Sequence, residues 1–342
     1  MLTKKLDANR LSLGVVNGPT VFILKRIVGS LLVMVAISII LMAIIQFMPG
    51  DAVDMLLRGI SPDAVKPEVR EALRHDLGLD IPVWHQYWNW ISALVQGDFG
   101  RSYTLNVPVG PIIFSRLGSS LILAVPAIIF MVVLGIGLGV LAALSENSPL
   151  DWTVQLISLT AIAMPAFLVG SLFLYVFAVK FHWIPAAFNA VDITHFNTLE
   201  TITFFFTALI FPCLTIAAET VAHVLRHTRA SMIEEMKLNY VRTALLRGLP
   251  RKYVIFNHVL RNALLPAITV IAINIGYVLG GVIVVEFVFS YPGIGNLMLT
   301  AILTRDIPTM LGTMLVISGG YVFANLVADI LYSILNPRIR LS

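Results

Sequence analysis

Charge is scarce in this chain. Lys, Arg, Asp and Glu together supply 12% of its 342 residues, about half the share of an ordinary soluble domain. Cysteine occurs once, as Cys213, so no disulfide can form within the chain. No Gly-Lys dipeptide occurs, which removes the phosphate loop that a nucleotide-hydrolysing chain needs. No pair of carboxylates and no Ser, His and Asp grouping stands out as a catalytic cluster. His223 and His227 have the i,i+4 spacing of metal ligands. No carboxylate lies between them and no third ligand is near, so they read as the polar end of a membrane helix. Gly137, Gly139 and Ala142 match a dinucleotide fingerprint on paper but lie inside an apolar run rather than after a strand.

What the chain does have is apolar length. It is 58% hydrophobic with a mean hydropathy of +0.89, the composition of an integral membrane protein. Six apolar stretches are long enough to cross a bilayer, at 27–47, 119–143, 154–179, 203–222, 265–285 and 311–333. The first lacks a small-x-small cleavage site and reads as a retained span. Gly135 and Gly139, four apart in the second span, are expected to let two helices approach closely. The expected fold class is therefore all-α, with six transmembrane helices.

Lys and Arg set the orientation. They gather in the N-terminal tail, in 223–264 and at Arg338 and Arg340, whereas the two shorter loops opposite hold Lys180 and Arg305. Both termini are expected in the cytoplasm. The expected organisation is a cytoplasmic tail over 1–26, a first span over 27–47, an outer loop over 48–115, a five-helix membrane domain over 116–334 and a short tail over 335–342. The outer loop is not featureless. "KPEVREALRHDLG" and "IPVWHQYWNWISALVQG" each open on a proline and close on a glycine, predicting two short lateral helices. Trp84, Trp88, Ile91 and Val95 form one stripe of the second, suited to structural support at the membrane surface or to an outer partner.

Three acids lie in or beside spans: Glu219, Glu286 and Asp329. Glu219 and Asp329 are expected toward the cytoplasmic ends. Asn325 and Asp329 share a helix face at i,i+4, as an intramembrane polar contact would. Glu286 ends the fifth span before "FVFSYPGIG", a position that suits an outer gate or an interfacial acid. A proton relay would need a chain of acids through the membrane, and none is seen.

The most informative stretch is "NYVRTALLRGLPRKYVIFNHVLRNALLP", 239–266, basic throughout and interrupted by Gly248, Leu249 and Pro250. Ile233, Met236, Tyr240, Ala244 and Arg247 fall on one helical stripe before Gly248 stops it. After Pro250, Phe256, Val259, Leu260 and Ala263 form another. Such an elbow fits a groove on a partner protein or lies on anionic lipid; the pattern alone leaves both open. Nucleic acid is not implied, since the basic residues are confined to one loop between spans.

The residues of this elbow resemble the signature of binding-protein-dependent ABC importer permeases. It reads here Ile233, then Arg242, Thr243 and Ala244, then Gly248 and Leu249, Ile255, Leu260 and Arg261. Arg242 and Thr243 replace the Glu-Ala of the general family and resemble the dipeptide/oligopeptide/nickel branch, with Asn239 where Asp is usual. "MPGD", "LGLDIP", "QYWNW", "GDFGRS", "TRASM", "VVEFVFSYPGIG", "RDIPTMLG" and "NPRIR" extend the likeness along nearly the whole chain. The N-terminal tail is longer than is common there, and 188–206 departs from the pattern. The resemblance implies a type I ABC importer transmembrane fold and half of a pore, paired with a second permease. It implies two ATPase subunits, which bind the ATP and Mg that this chain does not, and an extracytoplasmic solute-binding protein. Asn239, Tyr240, Arg242, Thr243, Ala244, Gly248 and Leu249 would form the coupling helix, within an elbow spanning 231–264. Di- and oligopeptides are the implied cargo, with nickel chelates, opines or sugars as alternatives. An ion-coupled secondary transporter would need a charged mid-membrane site on broken helices, which the apolar spans do not suggest.

Overall fold

A computed structural model describes residues 18–47, 53, 57, 67–184, 203 and 208–335, with side chains from 26 in the first helix and to 327 in the last. In a bilayer the backbone must satisfy its own hydrogen bonds, so long apolar runs become helices. The chain forms α1 (Gly18–Phe47), α2 (Pro67–Asp76), α3 (Val83–Val95), α4 (Val109–Leu144), α5 (Pro149–Ala163), α6 (Ala166–Lys180), α7 (Ile210–Met236), α8 (Asn239–Leu246), α9 (Arg251–Val288), α10 (Ile294–Thr304) and α11 (Ile307–Leu335). α1, α4, α9 and α11 are long and apolar enough to cross a membrane.

Two of the six expected spans differ from their prediction. The span expected over 154–179 is two helices, α5 and α6, bent by 108°. Met164 before Pro165 is extended (φ −95°, ψ 120°), the conformation that a following proline favours. The span expected over 203–222 lies partly outside the described residues; from Ile210 it is α7, which continues past the expected end to Met236 and is too polar in its second half to pass as a lipid-facing span. α7 needs no lipid-facing apolar surface all round, because it occupies the middle of the bundle. It packs against α4, α9, α5 and α6. Glu219 accordingly lies within the helix rather than near its end. The predicted tails and 188–206 fall almost wholly outside the described residues, although α1 already begins at Gly18.

α4 and α9 have 36 and 38 residues, ~54 and ~57 Å of helix, against a hydrocarbon core of about 30 Å. They overhang at opposite ends. α4 begins ten residues before its expected span, where Val109 and Ile113 pack on Ile294. α9 begins in the elbow, where Val254, Ile255 and Val259 pack on Val140 and Ala143. Between the ends, Leu123, Ala127 and Met131 of α4 meet Cys213, Ile216 and Val224 of α7 and Val278, Val282 and Val285 of α9. The Gly135 and Gly139 stripe works as expected. A Cβ on either would stand 2.7 Å from Val224 or Thr228 of α7, so only glycine permits this approach.

The lateral helices form where the prolines and glycines placed them. α2 starts at Pro67 and the chain turns at Gly78 (φ +64°); α3 follows Pro82 and ends before Gly97 (φ +85°). Tyr87 shares a 2.8 Å hydrogen bond with Ser38 of α1, tying α3 to the first span. Trp84 and Trp88 stay exposed.

Candidate functional site

The elbow is built from a short helix and two turns. α8 is separated from α7 by a turn at Lys237 and Leu238, so the continuous stripe expected from Ile233 to Arg247 is broken. One α8 side chain is buried, Val241, which joins the apolar cluster of Ile233, Val254 and Val259. The Tyr240 hydroxyl donates to Glu235 Oε2 (2.7 Å) and accepts from Asn262 Nδ2 (3.3 Å), bridging α7 and α9. Partial burial, and after it Glu235, hold this phenol above its ordinary range. Thr243 bonds back to Asn239 within the helix.

The end of α8 has a definite chemistry. Gly248 N–H donates to Leu245 O (3.0 Å) and Leu249 N–H to Ala244 O (3.3 Å), while Gly248 takes φ +83°. This is the Schellman arrangement, in which a left-handed residue, most often glycine, closes the helix. Ala244 turns partly toward the bundle, packing beside Val241, so it does not lead the outward face. That face carries Arg242, Thr243, Leu245, Leu246, Arg247 and Leu249. Leu246 is 79% exposed and Leu238, Leu245 and Leu249 are also open. Of these leucines the sequence reading named Leu249 alone; Leu238, Leu245 and Leu246 escaped it because it looked for small residues. Their signal was the apolar pair Leu245 and Leu246 beside three basic residues. Of the second stripe, Val259 and Ala263 are buried and Leu260 half-buried, whereas Phe256 is exposed and Val254 and Ile255 take the inward positions instead.

At the far end of the bundle, the stretch "EFVFSYPGIG" is a knot around Glu286. Glu286 is fully buried, not the interfacial acid that its position at a span end suggested. Ser290 (φ +52°) closes α9, with Tyr291 N–H donating to Glu286 O. The Glu286 carboxylate then accepts from Gly295 N–H (2.7 Å), Asn296 N–H (3.1 Å) and Ser120 Oγ of α4. Ser120 Oγ in turn accepts from Ile294 N–H (2.8 Å). The first three N–H groups of α10, orphans in any helix, are thus all satisfied from α9 and α4. Gly293 must be glycine here, since a Cβ would fall on the Glu286 carboxylate. Gly295 is equally constrained, 2.8 Å from the Ile283 backbone.

A second knot joins two motifs far apart in sequence. Asp306, 2% exposed, precedes α11 and accepts from Tyr103 N–H (3.0 Å), Thr104 Oγ1 (3.0 Å) and Ser102 Oγ. "GDFGRS" is thereby folded over the start of the last helix. The Tyr103 hydroxyl donates to Leu77 O; burial, with Asp306 adding to it, pushes this phenol up to about 12. Toward the elbow end, Arg229 of "TRASM" forms a two-point ion pair with Asp151, Nε–Oδ1 and Nη2–Oδ2 both 2.7 Å. Asp151 is 1% exposed and also holds Asn147 N–H and Gln155. Asn325 reaches α9, its Oδ1 3.2 Å from where a Gly276 Cβ would stand. Asp329 lies on α11 with its side chain outside the described residues.

Among the described residues, four helices, or five elements if the bent pair is one span, are long and apolar enough to cross a membrane, which with the exposed, leucine-bearing elbow makes this a multi-pass membrane protein. The family model for the binding-protein-dependent transport system inner membrane component matches 135–341, and its N-terminal companion matches 20–124. A peptide permease protein of Brucella suis biovar 1 is 35% identical over 94% of this chain and 99% of its own length. The glutathione transport system permease protein of Escherichia coli K12 is 35% identical over 93% and 98%. A further peptide permease protein, of Brucella ovis, is 34% identical. The chain belongs to the binding-protein-dependent inner membrane component family, the permeases of ABC importers, and has their type I transmembrane fold.

Proposed function

We propose that this chain is one of two permease subunits of an ATP-driven importer that carries di- and oligopeptides across the bacterial cytoplasmic membrane. The elbow faces the cytoplasm, as the concentration of Lys and Arg there favours, and both termini lie on that side. α8 docks in a groove on an ATPase subunit, which binds ATP and Mg and performs hydrolysis. A solute-binding protein delivers cargo at the opposite face, where Glu286 and its knot form part of the outer gate. When the two ATPases close, α8 is displaced, and α9, which begins directly after the Gly248 turn, tilts with it. Peptide cargo is supported by the names of the relatives from Brucella and Escherichia coli.

The observation that carries the coupling role is the pairing of exposed leucines with a fixed helix end. Leu246 is 79% exposed, while the Schellman turn at Gly248 and the Tyr240 bridge hold α8 in place. A leucine so placed contributes little to this chain's own stability. Leu246→Asp in the assembled transporter is expected to leave the melting temperature of the purified permease within about 0.5 kcal/mol equivalent. It should abolish ATPase co-purification and peptide uptake together. Undiminished uptake with Leu246→Asp would remove the coupling assignment.

A further inference from the structure

A cavity of about 430 Å³ lies between the α5–α6 bend, the first half of α7, the second half of α9 and Tyr321 of α11. Gly281 faces Ile216, 3.8 Å from its would-be Cβ, and α7 and α9 run antiparallel. Glu219, nearly one turn on from Ile216, is therefore level with about 278 of α9, inside the part expected to span (265–285). An acid thus stands well within the span.

Two observations make this cavity aqueous. Glu219 is 53% exposed at its side chain, and a charge facing lipid at this depth is strongly disfavoured. Met164, whose backbone leaves the helical conformation at the bend, lines the same cavity. Non-helical backbone at membrane depth is tolerated where it is buried in protein or lines water. The polar chemistry in the cavity is specific. Glu219 provides an anion, with His223 Nε2 3.9 Å away. Tyr277 and Tyr321 provide exposed ring faces, which attract cations. Much of the remaining wall is small and apolar, including Gly280 and Gly281.

We propose that this cavity is a half-site on the transport passage in which Glu219, flanked by Tyr277 and Tyr321, takes the primary ammonium of the passing substrate. This rests on the peptide reading above, in which the amino terminus is the one ammonium common to cargoes of different sequence. The small, apolar wall then accepts different side chains without selecting among them.

The field at the cavity can be tested without substrate. Cys213, the only cysteine, is buried, so Cys213→Ser leaves this chain without a thiol, and labelling is read on this chain after its purification. A Cβ at Gly280 meets nothing within 4 Å, so Gly280→Cys fits, and Ala218→Cys is a second lining site. In membranes holding the full transporter, the ethylammonium methanethiosulfonate should label either cysteine about ten-fold faster than the sulfonatoethyl reagent. Glu219→Gln should erase that ratio. Absence of labelling at both sites, or a ratio unmoved by Glu219→Gln, overturns the proposal.

Trialanine, which carries its ammonium only at the amino terminus, then tests the role. Glu219→Gln should lower its maximal uptake about ten-fold with half-saturation unchanged, and Glu219→Asp should restore part. Loss confined to Ala-Lys-Ala, with trialanine unaffected, overturns the assignment to the terminus. If the native transporter does not import trialanine, the peptide reading fails, and the labelling ratio still decides the ammonium site.

Discussion

At the far end of the bundle, Glu286 gathers three donors from α4 and α10, and Asp306 gathers three from the 102–104 loop. In the elbow, α8 rests on one buried valine and one bridging phenol, with four open leucines around it. The first region has its two buried carboxylates satisfied internally and Gly293 and Gly295 fixed by close contact. The second keeps apolar surface uncovered. Rigid connections thus tie α4, α9, α10 and α11 together at the far end. The elbow instead leaves leucines uncovered where the proposed ATPase contact falls. The Asp151–Arg229 pair marks the boundary, fixing α5 to α7 just inside the elbow.

That contrast can be broken most severely at Glu286. Glu286→Ala strands two α10 N–H groups inside the protein, and should cost about 2–6 kcal/mol, read as a large fall in melting temperature and poor accumulation in membranes. A mild phenotype there would mean that the far end is not a rigid unit. Gly248→Ala, by contrast, forces a side chain into the left-handed region, at about 1–2 kcal/mol. Its stability loss should be modest and its transport loss disproportionate, because it misplaces α8 without unseating the bundle. Equal fractional losses of stability and uptake would argue against α8 as a coupling element.

Smaller effects sharpen the picture. Arg305 ends α10 at φ +54°, and Arg305→Gly should relieve up to about 1 kcal/mol, a small rise in melting temperature with uptake unchanged. The Tyr103 phenol titrates near 10 when unfolded and about 12 when folded. The unfolded chain therefore loses this proton first, and stability falls as pH rises between those values. Below pH 10 the group has no effect. A melting-temperature profile over pH 9–12 should be flatter for Tyr103→Phe than for the native chain.

Much of the helical plan was legible because apolar runs and helix-ending residues report local physics. Pro67, Gly78, Pro82 and Gly97 marked the lateral helices correctly, and Gly135 and Gly139 marked a close helix pair. Averages along the chain hid the rest. The Met164–Pro165 bend sits inside an apolar run, where hydropathy does not register a change of direction. α7 runs past the end expected at 222 because Arg229 pairs with Asp151 rather than facing lipid, a distinction that exists only in three dimensions. Glu286 read as an outer gate or an interfacial acid, with no sign of its burial, because a sequence does not say that Ser120 and the start of α10 close over it. Asp306 and Ser102 were visible only as members of separate motifs, more than 200 positions apart.

The continuity of α9 has a consequence of phase. One helix runs from Arg251, beside the Gly248 turn, to the Glu286 knot. At 3.6 residues per turn, each added residue rotates everything beyond it by about 100°. A single insertion between Pro266 and Gly276 would leave both ends intact in sequence and turn Glu286 away from Ser120. Length in this segment is therefore fixed to the residue, by angle rather than by distance.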